Sequence, residues 1–334
     1  MLMKTTLSVL VAVFLNLQLY AQVEDFSATD FKKADSIANI YNGQSLEDLK
    51  SLSIKLTEPL NSDEEKFRSI YKWVCDNIEN DYDFYVLNKK KRESGLTEEK
   101  LKEWNKKFSE RVLRKLFHEK KTVCSGYAYL VMKLSTYAGL TSVIVNGYGR
   151  TVQANIGGTG IPNHSWNAVK LNDRWYLCDA TWSSGAIDTS GKRFVKEFDE
   201  VYFLSEPSLF VRNHYPLDST WVLFNNNQTL QTFLDGPLIY KSFYRYQIDK
   251  LFPETFDVEA KKGETVSFHF RKNGDKTINT MELRIDNSVI KTAQPPVITD
   301  DYYCMEHIFT SKGTYVVHIV FDSNYVWSYK IKVK

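Results

Sequence analysis

Three residues have the types and the order that thiol chemistry needs. They are Cys124 in Val123-Cys124-Ser125-Gly126-Tyr127-Ala128, His164 in Asn163-His164-Ser165-Trp166-Asn167, and Asp179 in Leu177-Cys178-Asp179-Ala180-Thr181-Trp182. A thiol attacks a carbonyl well only as its thiolate. A helix N-terminus stabilises that anion, because unpaired backbone N–H groups and the helix dipole point at it. A neighbouring imidazole takes the proton, and a carboxylate on the far ring nitrogen fixes the tautomer. In that scheme Cys124 is the nucleophile, His164 the base and acid, and Asp179 the group that orients His164. The backbone N–H of Cys124 is one oxyanion donor, and Tyr82 or Trp73 is the candidate for a second. Singly, each residue is ordinary: a cysteine at a helix start is more often core, and an aspartate at a strand end more often caps a turn. The case rests on whether the elements bring the three together.

The elements that must do so can be read in order. Ser62-Asp63-Glu64-Glu65 is a capping box. The helix after it puts Phe67, Ile70, Tyr71, Val74 and Ile78 on one face and runs to about Asn80. Asp81 to Tyr85 reads as an extended or loop piece. Residues 87–120 are dense in Lys and Glu, with Leu101, Trp104, Phe108, Val112 and Leu116 at helical spacing, as in surface helices over a cleft or at its rim. The run Lys89 to Arg92 reads as a solvated face. Cys124 opens a helix whose apolar face is Tyr127, Leu130, Val131, Leu134 and Ala138, closed by Gly139. Thr141 to Val145 is a β-branched strand, and 149–162 a glycine-bearing loop.

A hairpin follows, Ser165 to Leu171 and Arg174 to Ala180 about the turn Asn172-Asp173. A two-residue turn pairs Leu171 with Arg174, Asn167 with Cys178 and Trp166 with Asp179. His164 shares a face with Trp166, so His164 and Asp179 are diagonal neighbours on one face. Cys178 points to the other face, which argues against it as a second catalytic thiol. Residues 183–235 are irregular, with short strands around Val201 to Leu204. Beyond about residue 250, Thr265 to Phe270, Met281 to Ile285, Tyr315 to Phe321 and Trp327 to Val333 alternate like the strands of a small β-sandwich.

The chain has 334 residues and a formal net charge of +2, which gives no strong pull toward nucleic acid or an anionic membrane. Residues 1–21, with Lys4, the apolar run Leu7 to Leu15 and Leu19-Tyr20-Ala21, read as a secretory signal peptide cut after Ala21. No other stretch reads as a membrane span, so the mature chain is expected to be exported, periplasmic or extracellular. Cys75, Cys178 and Cys304 read as mostly buried small hydrophobes, with a Cys75–Cys178 bridge left open. No His/Cys cluster with zinc spacing is visible, and Asp81 and Asp83 read as turn or surface positions, so no cofactor is expected. The expected organisation is a signal peptide (1–21), a partly ordered N-terminal lead-in (22–60) with a short helix around Phe31 to Tyr41, a catalytic domain (61–235) and an Ig-like β-sandwich (250–334).

The segments around Cys124, Ala138-Gly139-Leu140, Gly147, His164, Trp175 and Asp179 together resemble the transglutaminase-like superfamily of papain-type folds. Within it they are similar to the kyphoscoliosis-peptidase-type branch, as is Tyr202-Phe203-Leu204-Ser205-Glu206-Pro207 with Phe210, His214-Tyr215-Pro216 and Trp221. The resemblance covers roughly residues 60–225. It implies an α+β fold, helices packed on an antiparallel sheet, and a Cys124–His164–Asp179 triad. His214 belongs to that pattern and reads as structural. The expected function is thiol acyl transfer on protein or peptide amides, as a peptidase or amidase. The other readings are a cross-linking transglutaminase, or a non-catalytic binding or scaffolding protein of the cell envelope that uses its β-sandwich to hold a partner.

Overall fold

The computed structural model describes residues 25–26, 29–224, 228–285, 297–299 and 301–334. The expected signal peptide lies outside them. The first described elements are α1 (Lys32–Ile40), α2 (Leu49–Thr57) and α3 (Asp63–Asn77). The lead-in is therefore two packed helices. Asp48 caps α2 by accepting from Ser51 N, and Leu52 and Leu56 share the buried face that this start places in the core. Arg68 on α3 ties the layer together, donating to both oxygens of Asp35 (2.6 and 2.8 Å) and to Glu200 (2.8 Å). The capping box of α3 forms as expected.

Next come β1 (Glu79–Asn80), α4 (Tyr82–Arg92), α5 (Glu98–Glu119), β2 (Lys121–Thr122) and α6 (Cys124–Tyr137). The piece read as extended, Asp81 to Tyr85, is instead the start of α4. Asp81 Oδ1 accepts from Phe84 N at 2.8 Å, and Lys115 of α5 pairs with the same carboxylate at 2.5 Å. An N-cap aspartate explains both its burial and the helix after it. β1 and β2 run parallel, Asn80 beside Thr122, and so hold the chain immediately before Cys124.

A four-stranded antiparallel sheet carries the other site residues. Its strands β3 (Thr141–Gly149), β4 (His164–Leu171), β5 (Arg174–Cys178) and, later in the chain, β8 (His214–Pro216) lie in the order β5-β4-β3-β8. The hairpin register is the expected one, with Leu171 opposite Arg174 and Asn167 opposite Cys178. Helix α6 packs on this sheet with Tyr127, Leu130, Val131 and Leu134 fully buried, each contributing roughly 1.5–3 kcal/mol of apolar burial. Between β5 and β8 lie α7 (Ala180–Ser184), the hairpin β6 (Gly185–Asp188) and β7 (Arg193–Lys196), and α8 (Pro207–Phe210). The strand expected near Val201 is a 3₁₀ turn, Glu200–Tyr202, capped by Asp199.

The remaining elements are α9 (Leu230–Asp235), β9 (Leu238–Ile239), α10 (Lys241–Arg245), β10 (Ile248–Phe252), β11 (Asp257–Ala260), β12 (Thr265–Lys272), β13 (Met281–Ile285), β14 (Val297–Thr299), β15 (Tyr302–Ile308), β16 (Gly313–Phe321) and β17 (Asn324–Val333). They form two sheets, β10-β12-β15-β14 and β11-β17-β16-β13, with β9 paired to β17. The faces meet through rings such as Phe270–Phe321 (centroids 5.0 Å) and Phe268–Tyr329 (5.3 Å). The expected α+β class, helices packed on an antiparallel sheet, is found, with further sheets after it. All four cysteines are free, Cys75 and Cys178 buried and Cys124 and Cys304 half-buried. Among the described residues, no helix is long and apolar enough to cross a membrane.

Candidate functional site

Cys124 is the first residue of α6, with Val123 as its extended cap. The helix starts there because β2 ends there: Asp81 N donates to Thr122 O at 2.7 Å, and α6 then takes the chain into the core. Gly126 is required at this corner, since a Cβ would sit 1.8 Å from Thr122 Oγ1. Asn167 joins the sheet to the same helix, donating to Ala128 O (3.0 Å) and Val143 O (3.2 Å). Asn163 locks the residue before His164: its Oδ1 accepts from Gly149 N at 2.7 Å and its Nδ2 donates to Gly149 O at 3.0 Å.

His164 opens β4, and its Nε2 is 2.7 Å from Asp179 Oδ2. Asp179 caps α7, Oδ1 accepting from Thr181 N (2.8 Å) and Trp182 N (3.3 Å), so one oxygen builds the turn and the other faces the histidine. Asp179 occupies Nε2, leaving Nδ1 as the ring nitrogen free for Cys124, which lines the same cleft. Cys178 lies on the opposite side, buried, with its thiol raised by desolvation.

The electrostatics of the three residues agree. Burial opposes the thiolate, but the hydrogen bond and charge of His164 and the charge of Arg92 outweigh it and bring Cys124 below its usual range. Burial likewise opposes an imidazolium, yet the charge and hydrogen bond of Asp179, with Cys124 beyond, raise His164 to about 10. Asp179 is desolvated too, but His164 and His214 hold it well below the usual carboxylate range. Those directions favour a thiolate–imidazolium pair over two neutral groups.

The structure adds a second imidazole. His214 Nε2 is 3.0 Å from the same Asp179 Oδ2, and the ring is wholly buried between Phe210 (centroids 4.1 Å) and Trp182 (4.4 Å). Desolvation lowers His214 to about 4, so its ring is neutral and donates from Nε2. Its Nδ1, 2.6 Å from the Asn213 amide, then needs a donor. A half-turn of that amide supplies one and leaves the amide oxygen for the Tyr202 hydroxyl. His164, Asp179 and His214 also have the types of a metal cluster. However, 2.7 Å between Nε2 and Oδ2 is closer than the roughly 3.3 Å between ligands of a tetrahedral zinc at about 2.0 Å. These are hydrogen-bonded partners, and the residues do not fit an ion.

The expected oxyanion side chains are elsewhere. Trp73 is fully buried with its indole N–H on Tyr41 O at 2.7 Å, and neither Trp73 nor Tyr82 lines the cleft. Asn80 does line it, beside Cys124, and its side-chain oxygen is buried without a partner. Sequence reading missed Asn80 because the two-residue strand that carries it has no periodicity to show. The cleft has a volume of about 610 Å³ and is bordered by α4, by the loop 149–163, and by Leu238 to Lys241.

A model of the transglutaminase-like superfamily matches residues 50–180. That span contains Cys124, His164 and Asp179 in the arrangement above. The chain belongs to the transglutaminase-like superfamily. It is similar to the proteins named kyphoscoliosis peptidase from Mus musculus and from Homo sapiens, each 30% identical over 80% of this chain. It is also similar to Hillarin from Drosophila melanogaster, 29% identical over 36% of this chain and 16% of the relative. The chain spans 39% of the length of each kyphoscoliosis peptidase.

Proposed function

We propose that this chain is an exported thiol acyl-transfer enzyme that hydrolyses amides of proteins or peptides. The observation that carries the reading is the ring of His164, fixed by Asp179 at 2.7 Å on one nitrogen, in the same cleft as a cysteine at a helix N-terminus. The name peptidase, printed for two relatives, supports it. Export is proposed from the sequence of residues 1–21, and an envelope partner for the β-sandwich from the same location.

In the proposed reaction the Cys124 sulfur attacks the amide carbon, and the carbonyl π electrons move to oxygen. The backbone N–H of Cys124 and the side-chain amide of Asn80, turned to present its N–H, receive that oxyanion. Collapse breaks the C–N bond, and His164 gives its proton to the departing amine. Water then attacks the thioester, His164 taking its proton, and Cys124 leaves as thiolate. The lining is more apolar than polar, but the cleft is open to solvent and carries Asn80, Asn88, Asn155 and Asn163, and water is the acceptor of this reading.

Iodoacetamide at neutral pH tests the first step. Cys124 is expected to alkylate faster than a free model thiol, and His164→Ala to abolish the advantage. Equal rates in wild type, variant and model thiol would sink the activated thiolate. Incubation with a glutamine-bearing protein and a labelled amine tests the acceptor: amine incorporation that disappears in Cys124→Ala would replace hydrolysis by cross-linking.

A further inference from the structure

Two guanidiniums line the cleft with only neutral partners: Arg150, whose bonds go to the backbone carbonyls of Asn155, Pro237 and Gly236, and Arg92, the one of the two whose charge reaches the Cys124 sulfur. Arg92, the last residue of α4, donates from Nε to Asn88 Oδ1 (3.3 Å), from Nη1 to Pro162 O (2.8 Å) and from Nη2 to Asn105 Oδ1 (3.2 Å). Among the described residues, no carboxylate forms an ion pair with it. Arg68, a fully buried guanidinium on α3, has two carboxylates, Asp35 and Glu200. Neighbouring Lys89 and Glu93 also line the cleft, but they face one another at 3.9 Å.

Three bonds account for three of the five N–H groups of a guanidinium. They pin α4 to α5 and to the loop that leads into His164, which is a structural task. That task does not require a charge, and enclosing a charge without a counterion is unfavourable. Arg92 lines the same cleft as Cys124 and His164, and its charge is felt at the Cys124 sulfur. Two N–H groups in a fixed planar fork are what a carboxylate accepts from.

We propose that Arg92 is a specificity-determining residue that receives a carboxylate of the substrate, so that the cleft selects acidic peptides. The carboxylate is an Asp or Glu side chain, or a free C-terminus, close to the amide that Cys124 attacks. This rests on the thiol reading of the cleft and names the substrate class for it. The apolar rim at Val152 and Ile161, both exposed, gives the rest of such a peptide a surface to lie on.

The test uses two alkylating agents of one shape on the full chain, with Cys124 followed by peptide mapping. Iodoacetamide reports the thiolate, and the rate ratio of iodoacetate to iodoacetamide, normalised to N-acetylcysteine, reports an anion site. The normalised ratio is expected to be about tenfold in wild type, to fall most of the way to one in Arg92→Gln and to stay intermediate in Arg92→Lys, as a charge-assisted contact requires. A ratio unchanged in Arg92→Gln overturns the acidic-substrate proposal while iodoacetamide still judges the thiol reading separately.

Should the variants fail to fold, protection of wild-type Cys124 from iodoacetamide decides it. Acetyl-Ala-Glu-Ala-amide and acetyl-Ala-Ala with a free carboxylate separate the two carboxylate sources. At least one is expected to protect at about tenfold lower concentration than acetyl-Ala-Gln-Ala-amide. Equal protection by all three overturns the proposal.

Discussion

At the scale of single residues, the site is a contest between desolvation and charge, and its outcome is visible in pH. With Cys124 lowered and His164 raised to about 10, the alkylation rate of Cys124 should rise at a lower pH than that of a free thiol. It should then stay level until the imidazolium loses its proton near 10. Asp179→Asn removes the charge that supports the imidazolium, so the thiol step should move up by about one to three pH units. An unmoved step, measured by iodoacetamide kinetics from pH 4 to 10, would remove Asp179 from the account.

Stability follows the same groups with different signs. His164, raised on folding, contributes fully below its unfolded pKa of about 6.5, and that contribution is lost as pH rises through about 10. Asp179, depressed, contributes above about 3.9 and loses it as pH falls further. His214 is lowered to about 4, so its neutral burial is favourable above about 6.5 and becomes costly between there and 4. His214→Gln should therefore flatten the acid limb of stability in that window, by up to about 3 kcal/mol. Urea unfolding at pH 7, 5.5 and 4.5 measures it, and an acid limb as steep as in wild type would mean that His214 is already charged at neutral pH.

At the scale of elements, the legible parts were those with a period or a fixed turn. The Asn172-Asp173 turn fixes the β4–β5 register, and the register alone puts His164 near Asp179. Asp81 misled because an N-cap aspartate before two tyrosines reads equally as a loop, and only its bond to Phe84 N distinguishes the cases. Asn80 and Arg92 reach the cleft of Cys124 only through the tertiary fold, across 44 and 32 positions of sequence, and no local pattern reports such a juxtaposition. The β2–α6 corner gives a prediction at this scale. Gly126→Ala forces a methyl against Thr122 Oγ1, so Thr122 or the start of α6 must shift. The expected cost is about 1–3 kcal/mol, with slower alkylation of Cys124 because its helix start moves. Thr122→Ala in the same chain removes the nearest atom and should restore part of both. Losses that simply add in the double variant would place the strain elsewhere.

At the scale of the whole molecule, the C-terminal sheets are built into the cleft. The strand β9 is only two residues long, yet Ile239 pairs with Trp327 of β17 while Leu238, Ile239, Tyr240 and Lys241 border the cleft. One apolar core runs from Val145, Trp166 and Leu177 under the sheet that carries His164 through Phe210, Phe243 and Tyr244 to Trp327 and Phe268 between the later sheets. A two-residue strand is invisible in a sequence pattern, so the alternation beyond residue 250 reads as a separate module, and the shared core does not show.

A shared core predicts shared unfolding, because no apolar boundary separates the halves for either to open alone. Thermal melts followed by near-UV circular dichroism and by protection of Cys178 from alkylation should therefore coincide. Trp327→Ala empties a fully buried site beside β9 and should lower both midpoints together, with a cost of about 3–5 kcal/mol. If Cys178 stays protected after the later sheets have melted, the two halves unfold independently, and the wall of the cleft formed by β9 is held by the N-terminal half alone.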